Sequence, residues 1–306
     1  MKAIGIILAG GNNNRMKELT AKRAVPALPI AGSFRAIDFS LSSMSNSHIQ
    51  TVAVLTQYNA RSLNEHLSSA KWWNFGRKQG GLFLFTPTVT ADNSDWYRGT
   101  ADAMYQNIDF LKRRHEPYVI ISSGDCVYKL DFNRVLDFHI EKKSDITVVC
   151  KDMMYNDDVS RFGVVRMDDE SRITEFDEKP IDASSNTIST GIYVIRRRQL
   201  IELLEAAAEE NRFDFVNDIL VRYKNVKKIY GYKINSYWNN IADIDAYFKT
   251  NMDFLRPDVR SYFFKEEPTI CSKVDDLPPA KFNPGSDISN SLVSSGCIIN
   301  GSVEDS

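Results

Sequence analysis

The feature that most limits the fold of this 306-residue chain is a set of short, nearly unbroken apolar runs. Ala3–Ala9, Thr51–Thr56, Tyr118–Ser122 and Ile146–Cys150 each end near glycine or polar residues. A strand with one wet face alternates apolar and polar residues, whereas a run without alternation needs cover on both faces, which helices supply. Helical spacing lies between the runs: Met104, Ile108 and Leu111 within Thr100–Arg114, and Leu203 and Leu204 within Leu200–Ala208. The pattern predicts an α/β fold with a doubly wound, mixed and mostly parallel sheet. Later strands are expected over Phe162–Met167, Ile173–Asp177 and Gly191–Ile195, the last preceded by polar Ser184–Thr190. A helix from Ile244 to Leu255, capped by Asp243, is expected to close this domain, residues 1–255.

Beyond Leu255 the composition changes. Pro257, Pro268, Pro278, Pro279 and Pro284 read as an extended linker over residues 256–286. In Ser291–Val303, the pairs Leu292/Ile298, Val293/Ile299 and Cys297/Val303 are each six apart, with Gly296 and Gly301 near corners. A six-residue period is the mark of a parallel β-helix, although a chance run of short strands gives the same pattern. Residues 287–306 are expected to be the first coils of such a domain, cut off before a stable stack.

A formal net charge of −2 gives no electrostatic case for nucleic acid or an acidic membrane. The apolar run Ile4–Ala9 is far too short to cross a bilayer. Cys126, Cys150, Cys271 and Cys297 show no metal-ligand spacing, which suits reduced thiols and a cytoplasmic protein.

The first strand runs into Leu8-Ala9-Gly10-Gly11-Asn12-Asn13-Asn14-Arg15. A strand ending in Gly-Gly and opening toward a helix is either a tight turn or a place where backbone N–H groups cradle phosphate. Eight ordered motifs decide for the second: L-A-G-G-x-x-x-R, K-R-A-x-P-A (Lys22–Ala27), F-R-x-I-D-F (Phe34–Phe39), T-Q-Y (Thr56–Tyr58), W-Y-R-G-T-A-D-A (Trp96–Ala103), G-D-x-x-Y-K (Gly124–Lys129), E-K-P (Glu178–Pro180) and S-x-G-I-Y (Ser189–Tyr193). In order and spacing these resemble glucose-1-phosphate adenylyltransferase, also called ADP-glucose pyrophosphorylase. Pro278–Phe282 and Ser291–Cys297 are similar to that family's passage into a left-handed C-terminal β-helix.

The resemblance implies in-line attack of a sugar 1-phosphate oxygen on the α-phosphorus of ATP, expelling pyrophosphate. Such chemistry rests on positioning, charge neutralisation and Mg²⁺. It further implies that Leu8, Gly10 and Gly11 line the nucleotide site, that Arg15 neutralises the triphosphate, and that Gln57, Gly99 and Thr100 contact the nucleoside. Asp125 would be a Mg²⁺ ligand, the other reading being a capped turn. Glu178, Lys179 and Ser189 would hold glucose 1-phosphate, the alternative for Lys179 being a solvated loop lysine.

The chain departs from the family in places. Competent members carry G-G-x-G-x-R with a further arginine directly after the glycine pair, where this chain has Asn12, Asn13 and Asn14. Loss of one preorganised phosphate contact costs about 3–4 kcal/mol, or roughly 10²–10³ in rate. The family's Y-W-R-D-V-G-T reads here as Tyr237-Trp238-Asn239-Asn240-Ile241-Ala242-Asp243, so the second Mg²⁺ carboxylate is Asn240. Asp243 either compensates or caps the next helix. Val25 stands where the family commonly has an effector-linked lysine, and Cys126 where it has histidine.

These changes imply a regulatory, D-type subunit, impaired by itself, with weakened or lost Mg²⁺ binding. Its partner would be a homologous catalytic adenylyltransferase subunit in a hetero-oligomer, tetrameric in the family, serving glycogen biosynthesis. ATP, ADP-glucose and glucose 1-phosphate are the candidate ligands. The alternatives are a fully active enzyme with an atypical loop, and a sugar-phosphate-binding sensor or scaffold.

Overall fold

A computed structural model describes residues 2–11, 14–76, 80–89, 95–154 and 157–306. Strand β1 (Ala3–Ala9) is followed by a two-residue antiparallel pair, β2 (Pro29–Ile30) with β3 (Phe34–Arg35), that leads into α1 (Ala36–Asn46). Next come β4 (Thr51–Thr56), α2 (Arg61–Leu67), β5 (Gly81–Phe85), α3 (Thr100–Gln106), α4 (Ile108–Lys112) and β6 (Tyr118–Ser123). The strands β1, β4, β5 and β6 are parallel, in the spatial order β5-β4-β1-β6. Nearly all of β1 is buried, and its side chains alternate between two cores. Ala3, Ile7 and Ala9 join Ile37 and Leu41 of α1, while Ile4 and Ile6 join Met104 of α3.

After β6 the sheet turns mixed. The elements are β7 (Cys126–Tyr128), α5 (Phe132–Glu141), β8 (Ile146–Asp152), β9 (Gly163–Met167), β10 (Ile173–Glu178), β11 (Thr187–Arg196), α6 (Arg197–Glu209), β12 (Ile229–Lys233) and β13 (Trp238–Asn240). Strand β11 runs antiparallel to both β6 and β8, and β12 is parallel to β8. The β9–β10 hairpin joins β11 through Ile188 and Val164. Apart from this sheet, β13 pairs antiparallel with β7, setting Asn240 opposite Cys126. The α/β class and the mixed, mostly parallel sheet agree with the sequence reading.

Three expectations change in detail. The helix expected over Thr100–Arg114 is two helices separated at Asn107, whose amide donates 2.9 Å bonds to the Tyr97 hydroxyl and the Ala103 carbonyl. The last strand begins at Thr187, so part of the polar stretch before Gly191 lies inside it. The stretch expected to open an extended linker instead starts with α8 (Pro257–Phe264), which follows α7 (Ile244–Asp253). Proline lacks only an N–H that a first helical turn leaves unpaired, so Pro257 starts a helix and does not mark a linker. Phe263 is fully buried, edge-on to Phe39 and Tyr237 with ring centroids 5.3 Å apart in each case, and Phe264 stacks on Phe34 at 4.3 Å. Asp243 caps α7 by accepting the Ala246 N–H at 2.8 Å. Further on, β14 (Lys281–Phe282) pairs in parallel with β16 (Ile298–Ile299), and β15 (Asp287–Ser289) with β17 (Ser302–Glu304). No helix among the described residues is long and apolar enough to cross a membrane.

Because α8 is part of the core, Phe263→Ala should cost about 3–5 kcal/mol of stability. Urea unfolding of the variant checks this; an unshifted midpoint would mean that α8 does not pack on the domain.

Candidate active site

Parallel strands place their carboxyl ends along one edge, and the chain order reverses at β1, which leaves a crevice there. A cavity of about 510 Å³ opens at that edge. Its walls include Leu8, Gly10 and Gly11 after β1, Gln57 after β4, Gly99 and Thr100 at the start of α3, and Asp125 after β6. Seven of the residues singled out from sequence thus meet at one cavity. Val25, the residue noted above as a departure from the family pattern, is buried in the same wall.

Local geometry explains several of these identities. A side chain on Gly99 would meet the Phe213 carbonyl oxygen at 2.3 Å, because that oxygen accepts the N–H groups of Ala101 and Asp102. A β-carbon on Gly11 would meet nothing within 4 Å, so the backbone there is open to a ligand. Gln57 is engaged with the protein itself: its carbonyl oxygen accepts the Tyr97 N–H at 2.7 Å, and its NH₂ donates to the Tyr97 carbonyl at 3.3 Å. Its role in the structure is to hold the 96–99 turn against the cavity.

The sequence reading passed over several lining residues. Tyr58 lines the rim and stacks nearly parallel on exposed Trp96 with centroids 6.2 Å apart. Arg98 lies 3.8 Å from the Phe213 ring centre and pairs with buried Asp102. Both sit inside the T-Q-Y and W-Y-R-G-T motifs, whose spacing was the available signal.

Arg15, Glu178, Lys179 and Ser189 are not among the residues lining this cavity. Arg15 is exposed, close enough to Asp158 and Arg161 for their charges to act on one another. Glu178 ends β10 and pairs with exposed Lys179 at 3.1 Å. Lys179 has φ of 51° and donates its N–H to Phe162. Ser189 is buried and donates to the Tyr193 hydroxyl at 3.2 Å. Tyr193 is held above the usual phenol range by burial, with the Glu178 charge adding to the effect, so these groups form a second cluster on β10 and β11. Asn12 and Asn13 lie outside the described residues.

The donor set around Asp125 bears on Mg²⁺. One Asp125 oxygen accepts the Ser123 hydroxyl at 2.5 Å and the Cys126 thiol at 3.5 Å. Asn240, in the ladder position beside Cys126, donates its NH₂ to that sulfur at 3.4 Å, and its carbonyl oxygen accepts the Ala242 N–H at 3.0 Å. Because a backbone N–H can only donate, the oxygen of Asn240 is fixed toward its own turn. The Cys126 thiol is held far above its ordinary range, first by burial and then by the Asp125 charge, so it stays an S–H donor. Position 240 thus offers no second carboxylate, and among the described residues that line the cavity Asp125 is the one anionic oxygen donor. Among the described residues, no group of three or more His, Cys, Asp or Glu side chains is arranged to hold a metal.

Comparison with known proteins fits this architecture. Residues 4–256 match the nucleotidyl transferase family model. The chain is 38% identical to a glucose-1-phosphate adenylyltransferase of Clostridium novyi, over 99% of this chain and 80% of that protein. It is 39% identical to the same-named protein of Pseudothermotoga lettingae, over 100% and 73% of the two chains, and 35% identical to that of Geobacillus stearothermophilus, over 99% and 79%. The chain belongs to the nucleotidyl transferase family, alongside the glucose-1-phosphate adenylyltransferases.

Removing the Gln57 amide leaves two polar groups of buried Tyr97 unpaired, at about 1–3 kcal/mol. Gln57→Ala should therefore speed amide exchange across residues 96–99 by roughly tenfold or more. Hydrogen-exchange mass spectrometry reads it; unchanged exchange would remove Gln57 as the support of that turn.

Proposed function

We propose that the chain is a subunit of ADP-glucose pyrophosphorylase, weak or inactive by itself, that acts with a homologous catalytic subunit in glycogen biosynthesis. The reaction served is ATP plus glucose 1-phosphate giving ADP-glucose and pyrophosphate. The sugar-phosphate oxygen forms the new bond to the α-phosphorus, and the bond to the β-phosphate oxygen breaks. In this reading the nucleotide lies in the cavity against Leu8, Gly10, Gly11, Gly99 and Thr100. Arg15 meets the triphosphate, and Glu178, Lys179 and Ser189 receive glucose 1-phosphate.

The observation that carries the impaired half of the reading is Asn240. Its oxygen is tied to Ala242, and its NH₂ faces the group beside Asp125. A position that in a competent enzyme brings negative charge brings none here, so Mg²⁺ affinity should be weak. Asn12 and Asn13, in place of an arginine and a glycine, point the same way. The parallel pairs over residues 281–304 suit the first coils of a β-helix, the kind of domain through which such subunits would assemble into a hetero-oligomer.

Purified chain assayed for ADP-glucose formation with Mg²⁺ should turn over roughly 10²–10³-fold more slowly than a catalytic subunit. Turnover equal to a catalytic subunit would overthrow the impaired reading in favour of an active enzyme. Failure to co-purify with a catalytic subunit would favour a sensor or scaffold. Changing Asn12→Arg, Asn13→Gly and Asn240→Asp together should raise the rate from its low baseline, and no gain would sink the assigned cause.

A further inference from the structure

The main sheet ends on one side at β5, which among the described residues is bonded to β4 alone. An edge strand presents a row of outward N–H and C=O groups, and sheets guard such rows with charged residues, proline or a bulge. The opposite edge, β10, is guarded in this way: it carries Glu175, Asp177 and Glu178, and its register shifts after Ile173. Strand β5 has none of these devices. It reads Gly-Leu-Phe-Leu-Phe, its register on β4 is unbroken, and each of its residues is only half-buried.

Beside the strand lies a groove of about 530 Å³. Phe83 and Phe85 of β5 meet Phe110 of α4 there, with ring centroids 5.2 and 5.3 Å apart. Arg114 lies over the Phe83 and Phe110 rings at 4.8 and 4.9 Å. With Arg114 held on the rings, the outward charges of the groove are Asp109 and Arg113, whose side chains are 75% and 82% exposed and one helical turn apart. One carboxylate and one guanidinium of similar exposure suit neither an acidic nor a basic partner. They suit a surface that carries the same pair in the reverse direction, which a twofold axis produces from the groove itself.

We propose that β5 and α4 form a self-complementary interface through which two copies of this chain associate. A twofold axis normal to the sheet sets the two β5 strands antiparallel, so that their outward backbone groups bond to each other. The two α4 helices then lie side by side on one face, Asp109 of each copy against Arg113 of the other, and the phenylalanine groove closes between them. The contact is independent of the reaction that the cavity serves.

Sedimentation velocity of the full chain, from about 1 to about 100 μM, should show a monomer–dimer equilibrium. Asp109→Arg and Arg113→Asp each set like charges against each other, and each should weaken the dimer at least about tenfold. The two changes together reverse the pair and should restore the dimer to within about threefold. Both positions are exposed, so all three variants should keep the melting temperature of the unaltered chain. Amide exchange across residues 82–85 should slow as the dimer fills, which locates the contact. A chain that stays monomeric throughout, a dimer that neither single change weakens, a double change that fails to restore it, or β5 exchange indifferent to concentration overturns the inference and leaves the functional reading intact.

Discussion

The rest of the structure hangs on β1, a strand that has to be covered on both faces and flanked on both edges. Its seven residues pair in parallel with β4 on one side and β6 on the other, and its side chains feed two separate cores. A side chain at Gly5 would meet the Met44 sulfur at 2.4 Å, so the Met44 side chain of α1 lies in the space that glycine leaves over β1. Two neighbours of the same direction, reached in opposite senses along the sheet, force a crevice at the carboxyl edge of β1. The crevice is thus a product of topology, while the residues that line it set its shape and chemistry.

The fold was legible to the extent that burial was two-sided. Apolar runs such as Ile146–Cys150 admit one packing class, and the structure places them in the main sheet. Less legible were positions where one residue has two uses. Asn107 breaks a helix whose apolar spacing runs on through it, because its side chain bonds across to Tyr97 and back to Ala103. Pro257 sits in a proline-rich stretch yet starts a helix, since the buried side chains that reward it, Val259 and Phe263, find their partners far away in sequence.

The candidate site was legible as a set of positions and poorly legible as a set of roles. Gly10, Gln57, Gly99 and Asp125, which the family resemblance singled out, line one cavity. What spacing cannot convey is where each polar atom is already engaged. Gln57 looks like a free amide in sequence, whereas both its ends bond to Tyr97. Asn240 and Cys126 are 114 positions apart, and only the register of β13 on β7 makes them neighbours. Arg98 hides in a motif read for its glycine, and its guanidinium is held by Asp102 and Phe213.

The two changes near the end of β13 make sense together. The resemblance puts a carboxylate at position 240 and a threonine at position 243, whereas this chain has Asn240 and Asp243. The negative charge has, in effect, moved three residues along. At 243 one carboxylate oxygen caps α7 and the other is held by Arg161, which stands just before β9 in the loop that also carries Asp158. The carboxylate at 243 ties α7 to the loop that leads into the hairpin β9–β10, whose last residue is Glu178. A carboxylate at a helix N-terminus is favoured by the helix dipole and by the cap hydrogen bond, and a charged partner strengthens the arrangement. A single charge relocated in this way leaves Asn240 neutral beside Cys126 and instead ties the start of α7 to the loop that leads into β9.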